Sequence, residues 1–290
     1  MITITGATGQ LGSGVIEHLI QKGLNPANIT ALARNEEKAQ ALKEKGVNIK
    51  IGDYDNYSAL VAAFEGTDKL LFISSSDLEN RDKQQINVVK AAKEAGVRHI
   101  LYTSIQRQSD SPDSPIAFVS NSHLATENAI KESGMRYTLL QNNLYMDILP
   151  WILGEQVFDK GVFYPAQEGK IAFTLRSDIA EATANILMGD DHEDKVYNIS
   201  NSHSLSFREV AEHLSIIAGK PVNYFSPGVE EYKSALTGAG APQMVADMLA
   251  GFAAGIAQGE LIAGDTDLPT LLGREAVSYK AYLSDLYAKK

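Results

Sequence analysis

Short apolar runs alternate with segments of helical periodicity over the first two thirds of the chain. The apolar runs are rich in β-branched residues and predict six strands, at 2–5, 29–33, 47–51, 69–73, 98–103 and 135–140. The segments between them predict helices at 10–22, 35–45, 57–64, 82–95 and 119–133, most of them ending at a glycine. This alternation indicates a mostly parallel, doubly wound sheet with helices on both faces.

Beyond residue 150 the pattern is less regular. A helix at 177–188 and a strand at 196–199 continue the alternating series, and a further helix is expected at 206–218. From residue 226 onward the chain is helical in pattern and rich in Ala, Gly and Met. We therefore expect a smaller, mainly helical C-terminal part, made of residues 151–175 and 202–290, which covers the carboxyl ends of the strands.

A glycine-rich loop joins the first predicted strand to the first predicted helix, with the sequence Gly6-Ala7-Thr8-Gly9-Gln10-Leu11-Gly12. In such a loop Gly6 permits the tight turn, Gly9 lets a pyrophosphate approach the backbone, and Gly12 lets the helix pack on the strand. Free N–H groups at the helix start then face the anion. A purely structural turn is the alternative, but the position favours a Rossmann-type dinucleotide-binding domain in residues 1–150, completed by about 176–201.

The residue after the second strand bears on which dinucleotide binds. An NAD site would place an acid there to hold the ribose hydroxyls, whereas this strand is followed by Arg34. A guanidinium pairs with a phosphate through forked, charge-assisted hydrogen bonds, so Arg34 favours NADP(H), with Lys38 adding charge one turn later. One alternative is that Arg34 is simply solvated. Another is that Glu36 or Glu37 holds the ribose, but we expect both glutamates to lie in the first helical turn.

Polar residues also follow the third and fourth strands. Asp53 follows the third strand, where it either accepts a hydrogen bond from the adenine amino group or caps the next helix. The small hydroxyl residues Ser74, Ser75 and Ser76 follow the fourth strand and leave room for the ribose and pyrophosphate. We expect all four residues to contact the cofactor.

Composition narrows the choice of partners. The 290 residues carry a formal net charge of −10, which disfavours nucleic acid as a partner. There is no cysteine, no basic segment of the kind that opens a signal peptide and no apolar run long enough to span a bilayer. The histidines show no metal-ligand spacing. We expect a cytoplasmic protein, monomeric or homodimeric, without a metal site and without a membrane partner.

Several of these segments resemble one known family, the NmrA-like branch of the short-chain dehydrogenase/reductases, and within it the bacterial NADPH-dependent quinone oxidoreductases and triphenylmethane-dye reductases. The resemblance covers nearly the whole chain and is carried by the glycine loop, Arg34, Gly52-Asp53, Ile73 to Ser76, Leu140 to Tyr145, Gly169-Lys170-Ile171 and Leu271-Leu272-Gly273. It implies that the segment from Asn142, Asn143, Leu144 and Tyr145 to Asp147 wraps the nicotinamide half of the cofactor. It also implies that Lys170 approaches that half from the covering part. Gln141 departs from the pattern, because relatives often carry Arg there.

The wider superfamily uses a Tyr-x-x-x-Lys pair as its acid/base, and no such pair occurs here. His123 and Glu127 occupy the expected spacing, and Ser104 follows the fifth strand without its usual partners. Reduction of an isolated ketone needs a positioned acid, whereas a quinone or dye spreads the charge, so proximity and orientation suffice. His123, Tyr145 and Lys170 are the candidates for a catalytic role, although for His123 a structural, hydrogen-bonded role is favoured. Glu127 either orients His123 or faces solvent.

Tyr145, Trp151 and Phe163 are either walls of an apolar acceptor slot or ordinary core aromatics. The favoured function is an NADPH-dependent oxidoreductase that acts on a small quinone or similar conjugated acceptor. The alternative is a redox sensor that binds NADP(H) without chemistry and signals through a partner. An epimerase or ketone reductase is disfavoured, because the acid/base pair is missing.

Overall fold

The computed structural model describes residues 1–77 and 79–288. Its central sheet is built from β1 (Ile2–Ile4), β2 (Ile29–Ala33), β3 (Asn48–Ile51), β4 (Lys69–Phe72), β5 (His99–Ile105), β6 (Arg136–Asn142) and β9 (Lys195–Ile199). The strands are all parallel and lie in the order β3-β2-β1-β4-β5-β6-β9. The winding reverses beside β1, so the predicted doubly wound sheet is confirmed.

Two short strand pairs lie outside this sheet. Strand β7 (Val162–Phe163) pairs with β11 (Tyr224–Phe225), and β8 (Lys170–Ile171) pairs with β10 (Leu205–Ser206). Both pairs belong to the smaller part of the molecule. Their two-residue length explains why no alternation of apolar and polar positions is visible for them in the sequence.

The helices, in chain order, are α1 (Gln10–Gln21), α2 (Glu36–Glu44), α3 (Tyr57–Phe64), α4 (Arg81–Glu94), α5 (Ala117–Ser133), α6 (Leu149–Leu153), α7 (Val157–Lys160), α8 (Arg176–Met188), α9 (Phe207–Ala218), α10 (Val229–Gly238), α11 (Gln243–Ala257), α12 (Leu268–Leu272) and α13 (Tyr279–Tyr287). Single 3-10 turns lie at Pro26–Asn28 and Met146–Ile148. Within the described ranges no helix has both the length and the apolar character needed to cross a membrane.

Each face of the sheet carries its own layer of helices. Helices α1, α8 and α12 pack together on one face, over a core that includes Ile16, Leu19 and Ile179. Helices α3, α4 and α5 cover the other face, over a core that includes Phe64, Phe72 and Tyr102. Both faces of the central strands are therefore buried, as a parallel sheet requires.

A third core joins the smaller part to the sheet. It is formed mainly by residues beyond 146, with Tyr164, Phe173 and Phe207 among its large, fully buried side chains. Ile105, from the end of β5, and Ile116, just before α5, belong to the same cluster. The smaller part is thus anchored on the loops that follow the central strands, which is where a ligand binds in this architecture.

Candidate active site

A cavity of about 800 Å³ opens at the carboxyl ends of β1, β2, β4, β5 and β6. It is lined by residues from the loops after these strands and by residues of α11. The cavity therefore lies beside the point where the winding reverses, between the sheet and the covering part. Its volume is within the range of small-molecule and cofactor sites.

The glycine loop forms one end of the cavity. Gly6 has a φ of +59°, which favours glycine, and its carbonyl accepts a 3.0 Å hydrogen bond from the Gly9 N–H. A Cβ on Gly12 would clash with the Gly6 oxygen and would lie 2.8 Å from Ala7 Cα. Gly12 thus permits close packing of α1 on the turn itself. No side chain caps the first turn of α1, which leaves its N–H groups for an anion.

The loop residues do not all reach the cavity. Those that line it are Gly6, Thr8, Gly9, Gln10, Leu11 and Gly12. Ala7 is fully buried beneath the turn and is not among the lining residues. The sequence places Ala7 in the cofactor-binding loop, and in the structure its side chain packs in the core instead of lining the cavity.

Two cations stand beside this end of the cavity. Arg34 and Lys38 both line it, and both side chains are exposed. Neither makes a hydrogen bond or ion pair through its side chain within the described ranges. The competing acids lie elsewhere: Glu36 and Glu37 occupy the first turn of α2, and Glu36 pairs with Lys43 at 2.9 Å. The geometry fits a 2′-phosphate held by Arg34 and Lys38.

The remaining polar candidates after β3 and β4 also line the cavity. Asp53 Oδ1 accepts a hydrogen bond from the Asp55 N–H, and the cap of α3 is Asn56, so Asp53 is not the helix cap. Ser75 donates to Gln84 Oε1 at 2.6 Å. Ser74 and Ser76, on either side of Ser75 in the chain, also line the cavity.

The segment after β6 forms the other end. Asn142, Asn143, Leu144 and Tyr145 all line the cavity. Asn143 is tied into the protein: its Nδ2 donates to Gln106 Oε1 at 2.7 Å and to the Leu261 carbonyl at 3.0 Å. Asn142 is buried, and its amide has no hydrogen-bond partner among the described residues. A buried amide without a partner on the cavity wall suits the carboxamide of a nicotinamide ring.

Tyr145 presents its ring to Arg176, whose guanidinium carbon lies 4.2 Å from the ring centroid. Burial raises the pKa of the Tyr145 hydroxyl, so it remains protonated at neutral pH. Arg176 in turn lies 3.7 Å from Asp147. This end of the cavity is thus held by a stack and an ion pair.

Lys170 does not reach the cavity, contrary to the expectation drawn from the resemblance. Its ammonium lies 3.4 Å from Glu209, whose carboxylate belongs to the capping box of α9. The preceding Gly169 explains the motif better, because a Cβ there would clash with the Ile256 carbonyl and lie 2.7 Å from Ala257 Cα. The Gly-Lys segment therefore seats β8 against the end of α11.

His123 lines the cavity but has both ring nitrogens engaged. Its Nε2 lies 2.6 Å from Arg81 Nη2, which can only donate, so Nε2 is the acceptor. Its Nδ1 then donates to the Tyr102 hydroxyl at 2.8 Å, which donates to Gln85 Oε1 at 3.0 Å. Burial, with the charges of Arg81 and Arg107, holds the pKa of His123 well below its usual range. The ring is neutral and held by hydrogen bonds at both nitrogens, an arrangement typical of a structural histidine.

Glu127 neither orients His123 nor faces solvent. It is buried, receives the Ser104 hydroxyl and forms a two-pronged ion pair with Arg107, with both N–O distances at 3.0 Å. The side chain of Gln141 also points to it, at 3.4 Å. The positions that carry Tyr and Lys in the wider superfamily therefore hold a neutral histidine and a paired carboxylate, and neither offers a proton to the cavity.

The apolar wall differs in part from the expectation. Tyr145 and Trp151 line the cavity, but Phe163 lies in the core of the smaller part and packs against Tyr232. The lining residues that the sequence did not single out are Leu32, Ala33, Asn35, Tyr54, Asp77, Arg81, Gln84, Ile105, Val119, Ile148, Arg176, Met248, Leu249 and Phe252. The last three come from α11, which belongs to the smaller part.

The sequence also matches the model of a known protein family. The model described as the NmrA-like family matches residues 1–256 of the 290. The chain belongs to the NmrA-like family. The glycine loop, Arg34 and the segment after β6, which carried the resemblance, all lie within the matched residues.

Quinone and dye reductases are similar to this NmrA-like chain over nearly its whole length. Quinone oxidoreductase 2 from Escherichia coli (strain K12) is 37% identical over 288 residues, with 99% of each chain covered. The crystal structure of an E. coli NADPH-dependent quinone oxidoreductase complexed with NADPH matches with a TM-score of 0.93 at 36% identity, covering 99% of this chain and 100% of that one. The Citrobacter triphenylmethane reductase complexed with NADP(H) matches with a TM-score of 0.91 at 36% identity, covering 98% and 99%.

Proposed function

We propose that this protein is an NADPH-dependent oxidoreductase that transfers hydride to quinones or similar conjugated acceptors. The observation that carries the proposal is a cavity that joins the glycine loop, with Arg34 and Lys38 beside it, to apolar residues of α11. The NADPH and NADP(H) complexes of the similar proteins, and the acceptors in their names, support the same assignment.

The residues of this chain have distinct tasks in the proposed reaction. The N–H groups at the start of α1 hold the pyrophosphate, and Arg34 with Lys38 holds the 2′-phosphate. Asn142 and Tyr145 border the nicotinamide end. When bound, NADPH supplies the hydride. Phe252, Met248 and Leu249 exclude water above that end, so the chain contributes orientation and a dry pocket.

The two positions that match the superfamily's Tyr and Lys are not placed as proton donors to the cavity. His123 is neutral with both nitrogens engaged, and Glu127 is paired with Arg107. An acceptor whose reduction spreads charge over conjugated atoms does not need such a donor during hydride transfer. The proposed acceptor is therefore a small conjugated molecule, and we place the enzyme in the cytoplasm, in keeping with its lack of cysteine.

The direct test is to mix the purified protein with NADPH and a panel of small quinones and dyes, and to follow the loss of reduced-nicotinamide absorbance. We expect turnover with at least one quinone, with NADPH preferred to NADH. Tight NADPH binding without turnover above background for any acceptor would contradict the enzyme assignment and favour a redox sensor.

A further inference from the structure

Arg81, the first residue of α4, is a buried cation on the cavity wall. It is 7% exposed, lines the cavity and donates through Nη2 to His123. Its Nε has no hydrogen-bond partner in the described chain, and no described carboxylate lies within ion-pairing distance of the group. A buried guanidinium without a counter-charge is costly, so it favours a ligand that carries or develops negative charge.

The other arginines near this region already have their counter-charges. Arg107 is paired with Glu127 at 3.0 Å, and Arg176 lies 3.7 Å from Asp147. The neighbour of Arg81 is instead a histidine that burial and positive charge keep neutral. The positive charge of Arg81 therefore has no ion-pair partner among the described residues, and the adjacent Asp82 acts on it only from beyond ion-pairing distance.

The position of Arg81 separates it from the phosphate sites. Through His123 it is tied to Tyr102 on β5, whereas the glycine loop and Arg34 follow β1 and β2. In the order of the sheet β4 lies between them. Arg81 also acts electrostatically on Tyr145, at the end of the cavity that borders the nicotinamide in the proposed function. The unused charge thus stands at the acceptor end.

We propose that Arg81 receives the acceptor oxygen on which negative charge develops, and that the protein prefers neutral or anionic oxygen acceptors such as quinones to cationic dyes. This inference rests on the proposed function. Hydride transfer to a quinone gives the hydroquinone monoanion, which takes one proton from water to become the hydroquinone. The guanidinium stabilises the monoanion while that proton is still absent. A cationic triphenylmethane dye carries a positive charge, so Arg81 repels it before reduction. Its product is neutral, so Arg81 does not stabilise the product either.

The test compares R81Q and R81K with wild type and with K83Q, which removes an exposed charge from the same helix. Each protein is assayed at saturating NADPH with 1,4-naphthoquinone and with a cationic triphenylmethane dye. We expect R81Q to lower kcat for the quinone by about a hundredfold, as for loss of an oxyanion donor, without lowering dye turnover. R81K should retain more quinone turnover than R81Q, and K83Q should resemble wild type.

A binding measurement gives a readout that does not depend on turnover. The NADP⁺-loaded proteins are titrated by calorimetry with 2-hydroxy-1,4-naphthoquinone, which is an anion at neutral pH. Wild type and K83Q should bind it, and R81Q should bind it at least about tenfold more weakly, the loss of one charge-assisted contact.

Three results would overturn the inference. Equal losses of quinone and dye turnover in R81Q would make Arg81 a structural partner of His123. A tenfold weaker affinity for NADP⁺ with unchanged quinone kcat would make it a cofactor contact. Unchanged binding of the anion by R81Q would remove its role in recognition. If wild type reduces no quinone, the proposed function fails, but the calorimetric comparison still decides whether Arg81 binds an anion.

Discussion

Arg34 and Arg81 are chemically identical side chains in opposite environments. Arg34 is exposed, so water screens its charge, and its proposed role is a two-pronged contact with the 2′-phosphate of the cofactor. Arg81 is buried, so water screens its charge less than that of Arg34. We therefore propose different roles for the same group: Arg34 distinguishes NADPH from NADH at one end of the cavity, and Arg81 selects the acceptor at the other.

At the residue scale, replacing Arg34 by Ala tests the discrimination between cofactors. The variant should raise the KM for NADPH about ten- to a hundredfold, because one charge-assisted contact is worth about 1.5–3 kcal/mol. The KM for NADH should change little, because NADH lacks the 2′-phosphate. Steady-state kinetics with both cofactors measure the effect, and Lys43→Ala, which removes a cation of α2 that does not line the cavity, is the control. Equal effects on both cofactors would refute the assignment.

Replacing His123 by Gln tests its buried neutral state. The folded-state pKa of His123 is depressed, whereas its unfolded value is about 6.5. As pH falls below about 6.5, the unfolded chain takes up a proton first, so the free energy of unfolding falls by up to about 1.4 kcal/mol per pH unit. H123Q should lose about that much less stability than wild type between pH 7.5 and 5.5, measured by urea unfolding.

The exposed His203 provides the matched control. H203Q should keep the wild-type dependence of stability on pH, since no buried neutral state is lost. H123Q should also keep most of the quinone turnover. An H123Q slope equal to that of wild type would mean that the ring does not titrate as described, and a loss of several orders of magnitude in turnover would restore a catalytic role.

Cavity residues that follow predicted strands could be predicted from the sequence, because in a parallel sheet these residues all lie at the same edge. That argument placed Arg34, Asp53 and Ser74 correctly on the cavity. Arg81 lay outside it, because an arginine at the start of a polar helix is indistinguishable from a solvated one until its neighbours are known. Lys170 was placed by resemblance, and its partner Glu209 is distant in sequence.

At the element scale, the turn from β1 into α1 depends on the missing side chain of Gly12. In Gly12→Ala the added Cβ meets the backbone of Gly6 and Ala7, which has no flexible end to move aside. The turn must then open, and we expect NADPH affinity to fall at least tenfold, measured by titration calorimetry. Gly14→Ala is the control, because its Cβ would meet only the Ala180 side chain at 3.2 Å. Similar losses in both variants would contradict the close packing of the turn.

Most elements of the sheet part match the expected bounds within two residues, since period and glycine stops specify them. The smaller part was predicted only in outline. Its strands span two residues each, and α11 is apolar on several sides, so neither pattern shows which face meets the cavity. The position of Phe252 on the cavity wall arises from tertiary packing, which local sequence does not encode.

At the scale of the whole molecule, the sheet part and the smaller part share side chains in one core. Ile105 and Ile116 lie in the same cluster as Tyr164 and Phe207. We expect a single thermal unfolding transition that NADP⁺ shifts upward as a unit, with about 2.7 kcal/mol of stabilisation at a hundredfold excess over Kd. Differential scanning calorimetry with and without NADP⁺ tests this. Two separate transitions, of which the cofactor moves only one, would show that the parts unfold independently.

Helix α12 gives this unity a further consequence. Although it comes late in the chain, Leu268 and Leu272 are buried in the core beneath α8, and the Asn185 side chain donates to the Leu271 carbonyl at 2.7 Å. The chain thus leaves the sheet part, forms residues that line the cavity, and then returns to the sheet part, where α12 packs beneath α8. A chimera that exchanges the covering part between relatives to alter acceptor choice must therefore end before residue 266. Otherwise it will also replace α12 and disrupt the core beneath α8.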